Sequence, residues 1–217
     1  MMPRAETTVV IAVQDAGRAK SRLGPDLDPG MRRTLVIAML DDLLTALREV
    51  HAGPVTVVSA DAVYDAIARE HGAQTVRDAG IGYNAAVLLA LQTVTPGMAV
   101  LILPGDLPQA TAGDLATLLD AIATPGVVVA PSADGGTCAL GLHPVHAITP
   151  AFGPDSARLH REAAVAAGAA LTVLALQSLS TDVDTLDDLA DVWDRVGEAT
   201  TALLEHLPLP AKGTHRD

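Results

Sequence analysis

The chain has 217 residues, a formal net charge of −12, and 49% hydrophobic but only 2% aromatic residues. The acidic balance argues against a nucleic-acid backbone as partner, and the single cysteine, Cys138, excludes a disulfide framework or a multi-cysteine zinc site. No apolar run reaches the length of a membrane span, and the first residues lack the apolar stretch of a signal peptide, so a cytoplasmic protein that avoids membranes is expected.

A core built from Ala, Val, Leu and Ile suits a mainly parallel sheet with helices on both faces. The run over 8–13, Thr-Val-Val-Ile-Ala-Val, is β-branched and continuously apolar, which predicts a buried strand. A polar, basic loop follows over 14–28, and Pro29 opens a helix whose Leu35, Met39, Leu40, Leu43, Leu44 and Leu47 share one face. The unit then repeats: a strand over 55–58 and a helix over 61–71, then a short strand over 74–76 and a helix over about 84–94. A strand over 100–103 and a helix over about 112–123 follow, then strands over 127–130 and 138–142. A helix over about 157–167, a strand over 171–174 and a last helix with Leu186, Leu189, Val192 and Trp193 complete the series. One domain over 1–207 with a frayed tail over 208–217 is expected, of Rossmann-like α/β class. In such sheets ligands bind beyond the carboxyl ends of the strands, so the residues just after each strand carry the information.

Five stretches at such positions could carry chemistry. Gly105-Asp106-Leu107-Pro108 delivers a carboxylate to the end of an apolar strand. Asp106 in that setting reads equally as a Mg²⁺ ligand or as a turn or helix cap. Asp182-Val183-Asp184-Thr185 puts two carboxylates on one face of an extended segment, able to complete a metal site or, with Thr185, to cap the last helix. Arg18, Lys20 and Arg22 alternate in the first loop, a pattern that suits a polyanion but lacks P-loop spacing. Asp134-Gly135-Gly136-Thr137 and Phe152-Gly153-Pro154-Asp155-Ser156 each combine small residues with a hydroxyl. Ser156 could meet an anion at a helix N-terminus, or Ser156 or Asp155 could simply cap that helix, and His160 shares the face of Ser156 one turn on. Asn84 reads as a ligand contact or a helix cap, and Cys138 as a buried strand residue.

The order of these motifs is more specific than any one of them. Ala19-Lys20-Ser21-Arg22-Leu23, Asn84, Gly105-Asp106-Leu107-Pro108, Gly136-Thr137, Phe152-Gly153-Pro154-Asp155-Ser156 and Asp182-Val183-Asp184-Thr185 together resemble the 2-phospho-L-lactate / phosphoenolpyruvate guanylyltransferases of deazaflavin coenzyme F-420 biosynthesis. The resemblance covers about 8–193 and implies GMP transfer from GTP to a small phosphorylated three-carbon acid. It implies Mg²⁺ on Asp106 and the Asp182/Asp184 pair, and catalytic contacts from Lys20, Arg22 and Asp106. Nucleotide contacts are implied at Val13, Lys20, Asn84, Pro104 and Gly105, and acceptor contacts at Asn84, Thr137, Gly153 and Ser156. A homodimer and a passing contact with the next enzyme of the pathway are compatible with it. Gln14, where the family commonly has Lys, and Ala157, where it often has Ser or an aromatic, depart from the pattern. Molybdenum-cofactor or sugar-phosphate nucleotidyl transfer, and a non-catalytic nucleotide-binding module, remain alternatives.

Overall fold

The apolar runs form a single seven-stranded sheet with helices on both faces. The computed structural model describes residues 6–14, 20, 23–80, 82–180, 183 and 185–207. In chain order the elements are β1 (Thr8–Ala12), α1 (Pro29–Val50), β2 (Val55–Ser59), α2 (Asp65–Glu70), β3 (Gln74–Arg77), α3 (Tyr83–Leu91), β4 (Val100–Pro104) and α4 (Ala112–Ala121). They continue with β5 (Gly126–Pro131), β6 (Thr137–His143), α5 (Ser156–Ala166), β7 (Leu171–Val173), α6 (Gln177–Ser180), α7 (Leu186–Val192) and α8 (Glu198–Leu204). None of the described helices is long and apolar enough to cross a membrane.

Strand order is β3-β2-β1-β4-β6-β5-β7. The β1–β2, β1–β4, β2–β3 and β5–β7 pairs are parallel, whereas β6 runs antiparallel to both β4 and β5. Alternation along β1 divides the core. Val9, Ile11 and Val13 face a layer with Leu40, Leu43 and Leu47 of α1 and Leu115, Leu118 and Leu119 of α4. Val10 and Ala12 face the other layer, with Val87 and Leu91 of α3 and Ala164 of α5. Helix α1 starts where expected, because the Asp28 carboxylate accepts from the Gly30 and Met31 amides at 2.7 and 3.0 Å and Pro29 follows it.

Two boundaries and two further helices differ from the sequence reading. Helix α3 starts at Tyr83 after Gly82, so Asn84 lies inside the first turn and is not its cap. The last predicted helix ends at Val192, passes through a 3-10 turn over Trp193–Arg195, and gives way to α8. Helices α6 and α8 are not signalled by periodicity. Helix α8 owes its start to a distant group: Asp42 on α1 accepts from the Ala199 and Thr200 amides at 2.8 and 2.9 Å. The predicted tail over 208–217 lies outside the described residues.

Candidate active site

The parallel ladder of β1 and β4 ends in a close contact. The Gly105 amide donates to the Ala12 carbonyl at 3.0 Å. A Cβ on Gly105 would lie 2.6 Å from Val13 Cγ2, so only glycine lets β4 turn here beside β1. The turn delivers Asp106 to the cleft, where a carboxylate oxygen stands 2.6 Å from Lys20 Nζ. Lys20 is almost fully buried and sits in the left-handed backbone region, φ 51°. Desolvation, the largest single influence on Asp106, raises its pKa; the charge and hydrogen bond of Lys20, with a backbone hydrogen bond, reverse this and hold the carboxyl below its ordinary value. Asp106 therefore stays ionised at neutral pH. It does not cap α4, because Thr111 takes that position and its hydroxyl accepts from the Asp114 amide.

The facing wall is built from β6 and the start of α5. Because β6 is reversed, its first residue, Thr137, emerges at the same end of the sheet as the last residue of β4. A register irregularity at Ala130/Pro131 accompanies the turn from β5. Thr137 Oγ1 lies 3.0 Å from both the Ser156 hydroxyl and His160 Nδ1. Of the two caps that the sequence allowed, Asp155 (φ 56°) takes the N-cap position of α5, without a side-chain cap bond, and Ser156 does not. Nor do the first amides of α5 stand free for an anion: Ser156 N–H donates to the Gly153 carbonyl and Ala157 N–H to that of Gly135. Gly153, at φ 135°, makes the bend before this helix in a conformation that side chains disfavour.

Phe152 stands between the two walls. Asn84 Nδ2 donates to the Phe152 carbonyl and Asn84 Oδ1 accepts from the Phe152 amide, each at 2.8 Å. Asn84 is thus a brace behind the wall, and it is not among the residues that line the cavity. The Phe152 ring meets Tyr83 and His160 edge-on at 5.2 Å on each side. The Tyr83 hydroxyl is buried with no hydrogen-bond partner among the described residues. Burial first, then the negative charge of Asp106, pushes its pKa upward, so it remains a proton donor.

These groups enclose a cavity of about 460 Å³ that Val13, Pro104, Gly105, Asp106, Thr137 and Ser156 all line. A smaller adjoining cavity of about 190 Å³, beside Ala60, Asp78, Gly80 and Gly82, shares Val13, Gln14 and Tyr83 with it. Gly153 also lines the larger one, so the predicted residues of β1, β4, β6 and the 152–156 loop come together. Arg18, Arg22, Asp182 and Asp184 lie outside the described residues. Among the described residues no group of three His, Cys, Asp or Glu gathers in metal-binding geometry. Thr185 caps α7 in a capping box with Asp188. Cys138 is buried in β6 and donates to the Ala130 carbonyl, as expected of a strand residue. Sequence reasoning missed Tyr83 and the depth of His160. The signals were a tyrosine directly after the Gly80/Gly82 turn and the four-residue spacing from Ser156 to His160.

Residues 7–208 match the family described as guanylyl transferase, CofC like. The chain belongs to this family. A phosphoenolpyruvate guanylyltransferase from Roseiflexus sp. (strain RS-1) is 36% identical over 205 residues, covering 94% of this chain and 92% of the relative. A 3-phospho-D-glycerate guanylyltransferase from Phenylobacterium zucineum (strain HLK1) is 35% identical over 191 residues, covering 84% and 88%. A solved structure from Desulfovibrio desulfuricans G20, a candidate nucleotide-diphospho-sugar transferase, superposes with a TM-score of 0.74 at 19% identity over 93% of this chain and 95% of the other, a likeness of fold. As a CofC-like guanylyl transferase the chain is a nucleotidyltransferase, an enzyme of Rossmann-like fold. That membership favours guanylyl transfer over the molybdenum-cofactor, sugar-phosphate and regulatory readings.

Proposed function

We propose that the cleft transfers GMP from GTP to a small phosphorylated three-carbon acid, as a step of coenzyme F-420 biosynthesis in the cytoplasm. Phosphoenolpyruvate is the first choice, with 2-phospho-L-lactate and 3-phosphoglycerate as the other acceptors. In the reaction an acceptor phosphate oxygen bonds to the α-phosphorus of GTP, the bond to the β-phosphate bridge breaks, and pyrophosphate leaves. The acceptor is already an anion, so no side-chain nucleophile is required. The observation that carries the reading is that one cavity joins the ionised Asp106, paired with the Lys20 ammonium, to the hydroxyl wall of Thr137 and Ser156.

Within this reading Val13, Pro104 and Gly105 form the backbone surface against the nucleotide. Lys20, with Arg22 from the same loop, balances triphosphate charge. Thr137, Gly153 and Ser156 orient the acid. An ionised carboxylate at a strand end suits Mg²⁺, which takes oxygen ligands and is commonly held by one or two carboxylates plus substrate phosphates. Asp106 would hold it together with Asp182 or Asp184, and the bound ion would neutralise charge on the phosphates. The names of the relatives, which include two different three-carbon acids, support this acceptor class.

Purified protein with Mg²⁺, GTP and the three acids in competition is expected to release pyrophosphate and give a GMP conjugate identified by mass. Asp106→Asn is expected to lower kcat/KM by about 10²-fold or more, on the scale of losing one stabilising contact to developing charge. Absence of a conjugate with all three acids overturns the acceptor class, and full activity in the variant removes Asp106 from the mechanism.

A further inference from the structure

We infer that His160 is a positioning residue that makes the Thr137 hydroxyl a committed hydrogen-bond donor into the cavity, and so selects a carboxylate on the acceptor molecule. The inference rests on the acceptor reading above and goes beyond it in naming how the wall chooses its ligand.

The argument follows the protons. The Ala151 amide can only donate, and it lies 2.8 Å from His160 Nε2, so that nitrogen presents a lone pair. Burial lowers the His160 pKa to about 4, and the ring is neutral at neutral pH. Its one proton is therefore on Nδ1, 3.0 Å from Thr137 Oγ1, which must accept it. The Ser156 hydroxyl donates to the same oxygen at 3.0 Å. Ser156 is fully buried, whereas Thr137 is partly exposed at the cavity. Both lone pairs of Thr137 are then occupied, and its own proton is left to point into the cavity.

Four of the neighbouring amides are already engaged. Those of Ser156 and Ala157 bond to the Gly153 and Gly135 carbonyls, that of Gly136 to Asp134, and that of Phe152 to Asn84. A hydroxyl restricted to donation favours an oxygen anion and disfavours an amide N–H or ammonium at that place. The acceptor's phosphate must reach the α-phosphorus of GTP near Asp106 and Lys20, so the group left for Thr137 is the carboxylate.

Kinetics of three variants, with phosphoenolpyruvate and GTP varied separately, test this. Gln at 160 can still accept from Ala151 but has no donor where Nδ1 stood; Asn can place an N–H there. His160→Gln is expected to raise KM for phosphoenolpyruvate by about 10-fold or more, the scale of a hydrogen bond to a charged group, with kcat and KM for GTP within about 3-fold. His160→Asn should stay within about 3-fold of wild type throughout. Thr137→Val should match His160→Gln, and the double variant should be no worse than either. Pyruvate, which carries only the carboxylate, should lose inhibition in His160→Gln while inorganic phosphate does not; the reverse overturns the carboxylate assignment. Equal effects of Gln and Asn, loss of kcat and GTP affinity in parallel, or additive single effects overturn the role of His160. Ring ¹⁵N chemical shifts of unmodified protein check the tautomer without any substitution, and a proton on Nε2 overturns the inference. A wild-type enzyme that conjugates none of the acids removes the acceptor reading and this inference with it; turnover without the coupling removes the inference alone.

Discussion

Replacing Gly105 by Ala adds one methyl group at the tightest point of the cleft. The new Cβ would lie 2.6 Å from Val13 Cγ2 and 3.4 Å from Val13 Cβ and Cγ1. Carbon atoms prefer about 3.5–4.0 Å, so the first contact is about 1 Å too short. Val13 is 5% exposed and β-branched, so it cannot swing aside freely. Either Val13 leaves its rotamer or the ends of β1 and β4 part, at the expense of the 3.0 Å bond from Gly105 N–H to the Ala12 carbonyl. Overpacking of this kind costs about 1–3 kcal/mol. Gly105 precedes Asp106, so a displacement near 1 Å also moves the carboxylate and is expected to lower kcat/KM by about 10²-fold. Urea denaturation at constant m, together with pyrophosphate release, reads both effects. Val13→Ala in the same chain removes the clashing methyls and should restore at least half of the stability, a coupling of about 1–2 kcal/mol. Wild-type stability and activity in Gly105→Ala, or no rescue by Val13→Ala, would refute the steric argument.

Asn84→Ala removes both 2.8 Å bonds to the Phe152 backbone and leaves a part-buried N–H and C=O without these partners. It is expected to cost about 1–3 kcal/mol and to raise KM for the acid; unchanged thermal stability would show that the brace is dispensable. Stability should also depend on pH through His160, whose value falls from 6.5 to about 4 on folding. Between these values the unfolded chain binds a proton that the folded chain refuses, so stability is fully present above about 6.5 and is lost as pH falls toward 4. The whole difference corresponds to about 3 kcal/mol, and solvent screening near the cavity reduces it to about 2 kcal/mol. Asp106, lowered by Lys20, adds a loss in the same direction at still lower pH. A melting temperature that is flat from pH 6.5 to about 4, or one whose slope survives in His160→Asn, would contradict the assignment to this ring.

The strands were legible because β1, β2 and β4 each carry four consecutive residues drawn from Val, Ile, Leu and Thr. The Asp106 turn was legible in place but not in role, since a cap and a ligand share one local pattern; Thr111, farther along, decides against the cap. Ser156 was ambiguous for the same reason, and its hydroxyl turns out to cross to Thr137 on β6, 19 residues earlier. Helix α8 and the brace at Asn84 rest on partners 157 and 68 residues away, and no local pattern encodes such pairs. His160 looked ordinary because depth is a property of packing: only the fold puts Phe152 against its ring and Ala151 against its Nε2.

The reversed strand β6 has a consequence for how this enzyme can change. Because β6 runs against β4 in the same sheet, the cleft has two jaws that meet at the β4–β6 pair. One jaw hangs on the parallel pair β1–β4 and carries Val13, Gly105, Asp106 and Lys20; the other hangs on the β5–β6 hairpin and α5 and carries Thr137, Ser156 and His160. On the proposed roles, substitutions in the second jaw would reshape the acceptor side while the β1–β4 ladder keeps its register. On the same roles, exchanging 131–160 as a unit is expected to change acceptor preference more than guanylyl transfer itself.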